Sequence, residues 1–189
     1  MEVWKRISII VIVVCIFLLV AVRAGAVGFS CHSNLAPKPR LDRVAHYVVE
    51  GRWGHKKNGH RVLEGGLHSR AFLDRWLQED PELALALNDE NSFLELSSGV
   101  VQVKFPKWAV SEASWTQTKG YKTFFPASWT SADIEEAVEY IIAVGHSRKV
   151  GNDKYESVGV YRSVRIKVVY TDDFLITAFP VVERKTAGF

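Results

Sequence analysis

An α+β fold, with N-terminal helices followed by an antiparallel β-sheet, is predicted by three features of this sequence. Helical periodicity is concentrated early, before residue 90, and returns once in residues 131–145. Alternating, β-branched segments dominate after residue 99. The strands are not regularly separated by helices, so the βαβ units of a parallel sheet are missing.

The elements follow in order. From Leu41, "LDRVAHYVVEG" predicts one short helix that stops at Gly51. "RWGHKKNGHRVLEGG" (52–66) holds four glycines and no period, which predicts a long loop or a loose hairpin. In "SRAFLDRWLQEDPELALALND", Phe72, Leu73, Trp76 and Leu77 fall on one helical face, and Pro81 opens a second short helix. "GVVQVKF" (99–105) alternates as a strand, and "KTFFPASW" is extended as far as Pro126. "SADIEEAVEYIIAVG" is the clearest helix. Ser131 is its expected cap, its first turn is acidic, Ile134, Val138, Ile141 and Ile142 are apolar, and Gly145 ends it. "NDKYESVGVYRSVRIKVVY" and "FLITAFPVVE" predict strands joined by a turn near Thr171–Asp173.

Residues 1–26 stand apart. A short basic lead precedes an apolar run at residues 7–22, which would make a helix of about 24 Å, shorter than a ~30 Å hydrocarbon core. "AGA" follows at residues 24–26, the small-residue pattern of a cleavage site. A signal peptide cut after Ala26 is expected, with an uncleaved signal anchor as the alternative. Residues 27–40, with two prolines, read as a linker to a domain over residues 41–189. The expected location is secreted or periplasmic, or else membrane-anchored through residues 7–22.

The chain is 48% hydrophobic and 24% charged, which excludes a disordered chain and supports one domain with a real core. Removing residues 1–26 takes away Lys5, Arg6, Arg23 and Glu2 and leaves a net charge of about +1. A polyanion must therefore be held by a local patch rather than a global field. Cys31 would be alone once Cys15 is removed, so no internal disulfide is expected. Glycine-rich phosphate loops, nucleophile elbows and paired-carboxylate signatures are absent.

The histidines carry the chemistry. They fall at 32, 46, 55, 60, 68 and 146, four of them between 46 and 68. Imidazole titrates near neutral pH, so such a segment suggests acid–base work or metal binding. No CxxC or helical i, i+4 histidine pair accompanies them, which weighs against a built metal site. His55 and His60 read as solvated loop residues. Trp108, Trp115 and Trp129 lie near the lysine-bearing segment, where they read chiefly as core.

"HYVVEG…EGGLHS", "TKGYKTFFPASW" and "FLITAFP" occur in that order. They resemble the H-x-x-x-G…G-G-x-H signature, the lysine segment and the terminal T-x-Y-P strand of the EndoU endoribonuclease family. The resemblance covers roughly residues 41–182. It implies RNA cleavage at uridines by attack of the 2′-OH, leaving a 2′,3′-cyclic phosphate and a 5′-OH. It implies His68 as general base, His46 as general acid and Lys119 as the cation. His60 is the alternate for His46, and Lys122 the alternate for Lys119. It further implies Thr123, Thr177, Phe179, Gly65 and Gly66 as substrate-binding positions. No metal or cofactor is required, although some relatives respond to Mn²⁺. The implied partners are uridine-containing single-stranded RNA or tRNA and, for an exported toxin, an immunity protein.

Elementary chemistry agrees with that set. Metal-free RNA cleavage needs a base for the 2′-OH, an acid for the departing 5′-oxygen and a cation for charge building on phosphorus. The glycine pair would let backbone pass close to a phosphate. Two departures stand out. The spacing from His46 to Gly51 is one residue longer than the commonest family form, and Phe179 stands where relatives carry Tyr. Phenylalanine can stack but cannot donate a hydrogen bond. Two competing readings follow: a non-catalytic RNA-binding protein and a metal-dependent hydrolase built on the histidine-rich loop. Convergence of His46, His68 and Lys119 on one groove would favour catalysis, whereas with a His68 buried and bonded to backbone the enzyme reading would fail.

Overall fold

The computed structural model describes residues 39–42, 44–55, 61–89, 92–96 and 98–182. The expected signal segment, most of the linker, Cys31 and His60 lie outside the described residues. Among the described residues no helix is long and apolar enough to cross a membrane.

The architecture is α+β with antiparallel sheets. A π-helix at Val44–Glu50 leads into the hairpin β1 (Arg52–His55) and β2 (Arg61–Gly65). Two helices follow, α1 (Arg70–Glu79) and α2 (Pro81–Ala86). A three-stranded sheet then forms from β3 (Phe93–Glu95), β4 (Val101–Lys104) and β5 (Tyr121–Phe124), with α3 (Glu112–Thr118) between its last two strands. Helix α4 (Ser131–Val144) precedes a four-stranded meander of β6 (His146–Lys149), β7 (Tyr155–Tyr161), β8 (Val164–Tyr170) and β9 (Leu175–Pro180). Helices and strands thus interleave more than a simple helices-then-sheet order implies.

Two apolar cores result. The first lies between the four-stranded sheet, α4 and the π-helix. It gathers Ile134, Ala137, Val138 and Ile141 of α4, Ile166, Val168 and Tyr170 of β8, and Val44, Val48 and Val49. The second joins the three-stranded sheet to α1 and α2 through Leu73, Trp76, Leu83, Val101, Val103, Phe105 and Phe124. Trp129 belongs to the first core, and Trp108 and Trp115 pack against the second, so their main work is structural.

Several elements correct the expectations in detail. Of the two forms expected for residues 52–66, the hairpin is the one found, with Arg52–His55 paired to Arg61–Gly65. Helix α4 is capped by Thr130, not Ser131: the Thr130 hydroxyl accepts from Asp133 N–H, and the Asp133 carboxylate accepts from Thr130 N–H. The Thr130 hydroxyl, donating to the Asp133 carboxylate at 2.6 Å, then the Thr130 N–H and Arg162 hold the Asp133 carboxyl down to about 2. The segment from 152 to 170 is itself a hairpin. It turns at Arg162 and Ser163, both at positive φ, as a tight right-twisted hairpin needs.

The predicted first helix has a different pitch. Its seven residues are wound as a π-helix, whose turn holds one residue more than an α-turn. Val44, Val48 and Val49 pin it to the core, so the wide turn takes up the extra residue between His46 and Gly51.

Candidate active site

The residues between β2 and α1 make a short, tightly held loop. Gly66 (φ 64°) and Leu67 (φ 57°) are consecutive left-handed residues. That conformation suits glycine but strains leucine. Complete burial of the Leu67 side chain helps hold it there. The loop backbone is clamped from two sides. Leu67 N–H donates to Tyr47 O at 3.3 Å, and His68 N–H donates to Val48 O at 2.6 Å. On the other side, Phe125 N–H donates to His68 O at 2.8 Å.

These bonds seat His68 between the π-helix and β5. Its Nδ1 lies 2.6 Å from the carbonyl oxygen of Thr123. A carbonyl only accepts, so Nδ1 carries the proton and, in the neutral ring, Nε2 carries the lone pair. Burial, with the nearby Lys122 ammonium as a second cause, pushes the imidazole down to about 3, and the Thr123 bond opposes this only in part. The ring is therefore neutral across the physiological range.

His68 is 7% exposed, yet it lines an open cavity of about 560 Å³. Among the described residues, no buried side-chain nitrogen or oxygen is without a partner. Nε2 has no partner among them, so it keeps contact with the cavity. Backbone bonding through Nδ1 thus orients the ring rather than withdrawing it. His68 is therefore buried and bonded to backbone, the arrangement expected to rule catalysis out, but that expectation overlooked the second ring nitrogen, which stays at the cavity. Phe179 stacks on the imidazole, with centroids 5.7 Å apart and planes at 30°. Its ring therefore adds to the apolar surroundings of His68.

Lys122, on β5, also lines the cavity. Its ammonium donates to Gly66 O at 2.8 Å, and burial pulls it down from 10.5 to about 8. Thr123 holds the two sheets together, its hydroxyl donating to Pro180 O on β9 at 2.6 Å. Thr177 and Phe179 of β9 complete that wall. Arg52 and Glu64, paired at 2.8 Å, line the cavity from the β1–β2 hairpin.

Not every expected residue joins this group. His46 lies on the outer side of the π-helix, with its side chain 82% exposed and Nδ1 3.2 Å from Glu50. It does not line the cavity; its neighbour Tyr47 does. Lys119 sits at the end of α3 in left-handed geometry (φ 55°), exposed, and does not line the cavity, although Gln117 and Thr118 just before it do. The lysine in the cavity is Lys122. Gly65 and Gly66 both line the cavity, and crowding by Tyr47 gives each a steric reason to be small as well. A Cβ on Gly66 would overlap the backbone carbonyl of Tyr47, and one on Gly65 would come within 2.6 Å of the Tyr47 hydroxyl. No three His, Cys, Asp or Glu among the described residues could hold a metal ion together.

Tyr47, Arg52, Glu64 and the α3 residues Ser114 and Gln117 were not singled out from the sequence. One signal was available for the first. An extra residue in a short helix changes which side chain faces inward. A second lay in the capping sequence of α3, where Ser111 accepts from Ser114 N–H at 3.2 Å.

The family model of the bacterial EndoU nuclease matches residues 52–182. The match begins after His46 and Tyr47 and takes in His68, both lysines, Thr123, Thr177 and Phe179. No curated protein and no solved structure matches the chain. With most of its cavity wall inside a match that covers more than half of its residues, the chain belongs to the bacterial EndoU nuclease family.

Proposed function

We propose that this chain is an endoribonuclease that cleaves RNA at uridines through attack of the 2′-OH on the adjacent phosphate. The observation that carries this reading is the pairing of a neutral, cavity-facing His68 Nε2 with the buried Lys122 ammonium. Nε2 takes the 2′-OH proton. The 2′-oxygen bonds to phosphorus, the bond from phosphorus to the 5′-oxygen breaks, and the 5′-oxygen takes up a proton. The products are a 2′,3′-cyclic phosphate and a 5′-OH. Lys122 offsets charge on the phosphate where low polarity strengthens its effect. An arriving phosphate also opposes the field of Lys122 on His68, raising the imidazole toward the range where a base works well.

Thr123 and Thr177 supply hydroxyls on the wall where a uracil edge would lie. The chemistry uses the chain's own groups, so Mn²⁺ is not required. The apolar run at residues 7–22 supports export, and an exported nuclease supports a role as a toxin with an immunity partner.

The test uses an oligonucleotide with one uridine, in chelator, beside a copy carrying 2′-deoxyuridine there. Cleavage of the ribo form alone, with a cyclic phosphate end read by mass and lost in His68→Ala, is expected. Cleavage of both forms, or cleavage abolished by chelator, would end this reading. The outward position of His46 favours a second one, an RNA-binding protein without catalysis. Retained RNA binding with no cleavage of either oligonucleotide is its signature.

A further inference from the structure

The reaction above needs a proton donor for the departing 5′-oxygen, and His46 does not face the cavity. Of the proton-bearing side chains that do face it, several are committed, and the aliphatic hydroxyls of Ser114 and Thr177 are far weaker acids than a phenol. Lys122 donates to Gly66 O and already acts on His68. Glu64 is ion-paired with Arg52. Thr123 donates to Pro180 O. Tyr121 lies near the Lys104 ammonium, 5.7 Å from its ring.

Tyr47 differs. It lines the cavity from the π-helix, and among the described residues its hydroxyl makes no hydrogen bond. Its backbone is fixed, because Tyr47 O accepts from Leu67 N–H of the loop that carries His68. Its hydroxyl lies over Gly65, where an added Cβ would meet it at 2.6 Å. Tyr47 and Lys122 therefore flank the same glycine pair, one through a free hydroxyl and the other through a committed ammonium.

We infer that Tyr47 is the proton donor of the cleavage step, taking the part that the sequence suggests for His46. This rests on the ribonuclease reading. As the bond from phosphorus to the 5′-oxygen breaks, the Tyr47 O–H proton passes to that oxygen. The 2′-OH proton has meanwhile gone to His68 Nε2. Release of that proton to water and reprotonation of the Tyr47 phenolate restore the enzyme, so the net transfer is one proton from the 2′-OH to the 5′-oxygen. The π-turn is what presents Tyr47 and turns His46 outward.

The test compares two substrates for the full chain. One is a uridine dinucleotide, whose 5′-alkoxide needs a proton to leave. The other is uridine 3′-(4-nitrophenyl phosphate), whose phenolate leaves without one. Tyr47→Phe should lower kcat on the dinucleotide by about 10²-fold or more and change the aryl ester by less than about threefold. Gly65→Ala displaces the hydroxyl without removing it and should give the same selective loss. His46→Ala should match the wild type on both. Equal losses on the two substrates, or an unchanged dinucleotide rate in Tyr47→Phe, would overturn the assignment while leaving the ribonuclease reading intact. A wild-type protein that cleaves neither substrate overturns the ribonuclease reading itself, and the assignment with it.

Discussion

His46 and His68 belong to two segments that are hydrogen-bonded to each other, yet their surroundings are opposite. His68 is buried, held by Thr123 and kept neutral. His46 is solvated and leans on Glu50. Lys122 and Lys119 repeat the contrast three residues apart, one inside the cavity wall and one at an exposed helix end. In each pair the residue type is the same and the local backbone decides the role. A strand alternates its side chains, so Lys122 and Phe124 of β5 are buried while Thr123 between them turns to the cavity and β9. A helix end presents Lys119 to solvent whatever its side chain.

The widest separation should appear in catalysis. His68→Ala is expected to lower kcat on a single-uridine RNA by about 10²–10⁴-fold, and His46→Ala to leave it near wild type. Equal losses in the two variants would erase the distinction. Lys122→Ala should cost about 10²–10³-fold in kcat, against little change for Lys119→Ala, in the same steady-state assay.

Acid stability sharpens the comparison in a different way. The unfolded chain takes a proton on His68 near 6.5, and the folded chain only near 3. Between those values the unfolded state holds more protons, so stability is complete above pH 6.5 and falls as pH drops toward 3. The loss is on the order of 4 kcal/mol at the low end. Carboxylates held low in the fold, such as Asp133 and Glu156, add their own loss only below about pH 4.5. Denaturant melts from pH 6.5 to 4.5 should therefore slope in the wild type and flatten in His68→Phe. A matching slope in both would remove His68 as the cause.

The backbone that seats His68 should be intolerant in turn. Gly66→Ala combines a positive φ with an overlap on the Tyr47 carbonyl, and a loss of about 2–4 kcal/mol is expected by urea denaturation. The smallest effect belongs to Lys119. Its left-handed φ favours glycine, so Lys119→Gly should raise stability by about 1 kcal/mol with activity unchanged. A fall in activity there would bring Lys119 back toward the substrate.

Much of the fold was legible because periodicity reports burial. Helix α4 shows its apolar face in Ile134, Val138 and Ile141, and β8 alternates cleanly from Val164 to Tyr170. Short elements were harder. Strand β6 is exposed throughout and carries no apolar alternation, and β3 spans three residues. The candidate site was legible as a set of segments: the glycine pair with His68, the strand with Lys122 and Thr123, and the strand with Thr177 and Phe179. Which side chains face inward was not legible. It depends on the pitch of seven residues and on where α3 hands over to β5, and spacing between residue types reports neither.

The wide turn at Val44–Glu50 has a consequence for how this protein can vary. In an α-helix each residue advances the azimuth by about 100°. Dropping one residue from this turn would re-index the inner face while leaving the cavity walls, supplied by β2, β5 and β9, in place. Evolution or an engineer could thereby exchange a phenol for an imidazole at one position by changing length rather than identity. Alignments that score substitutions alone would misread such a change as the loss of a residue, when what has moved is the reading frame of a helix in space.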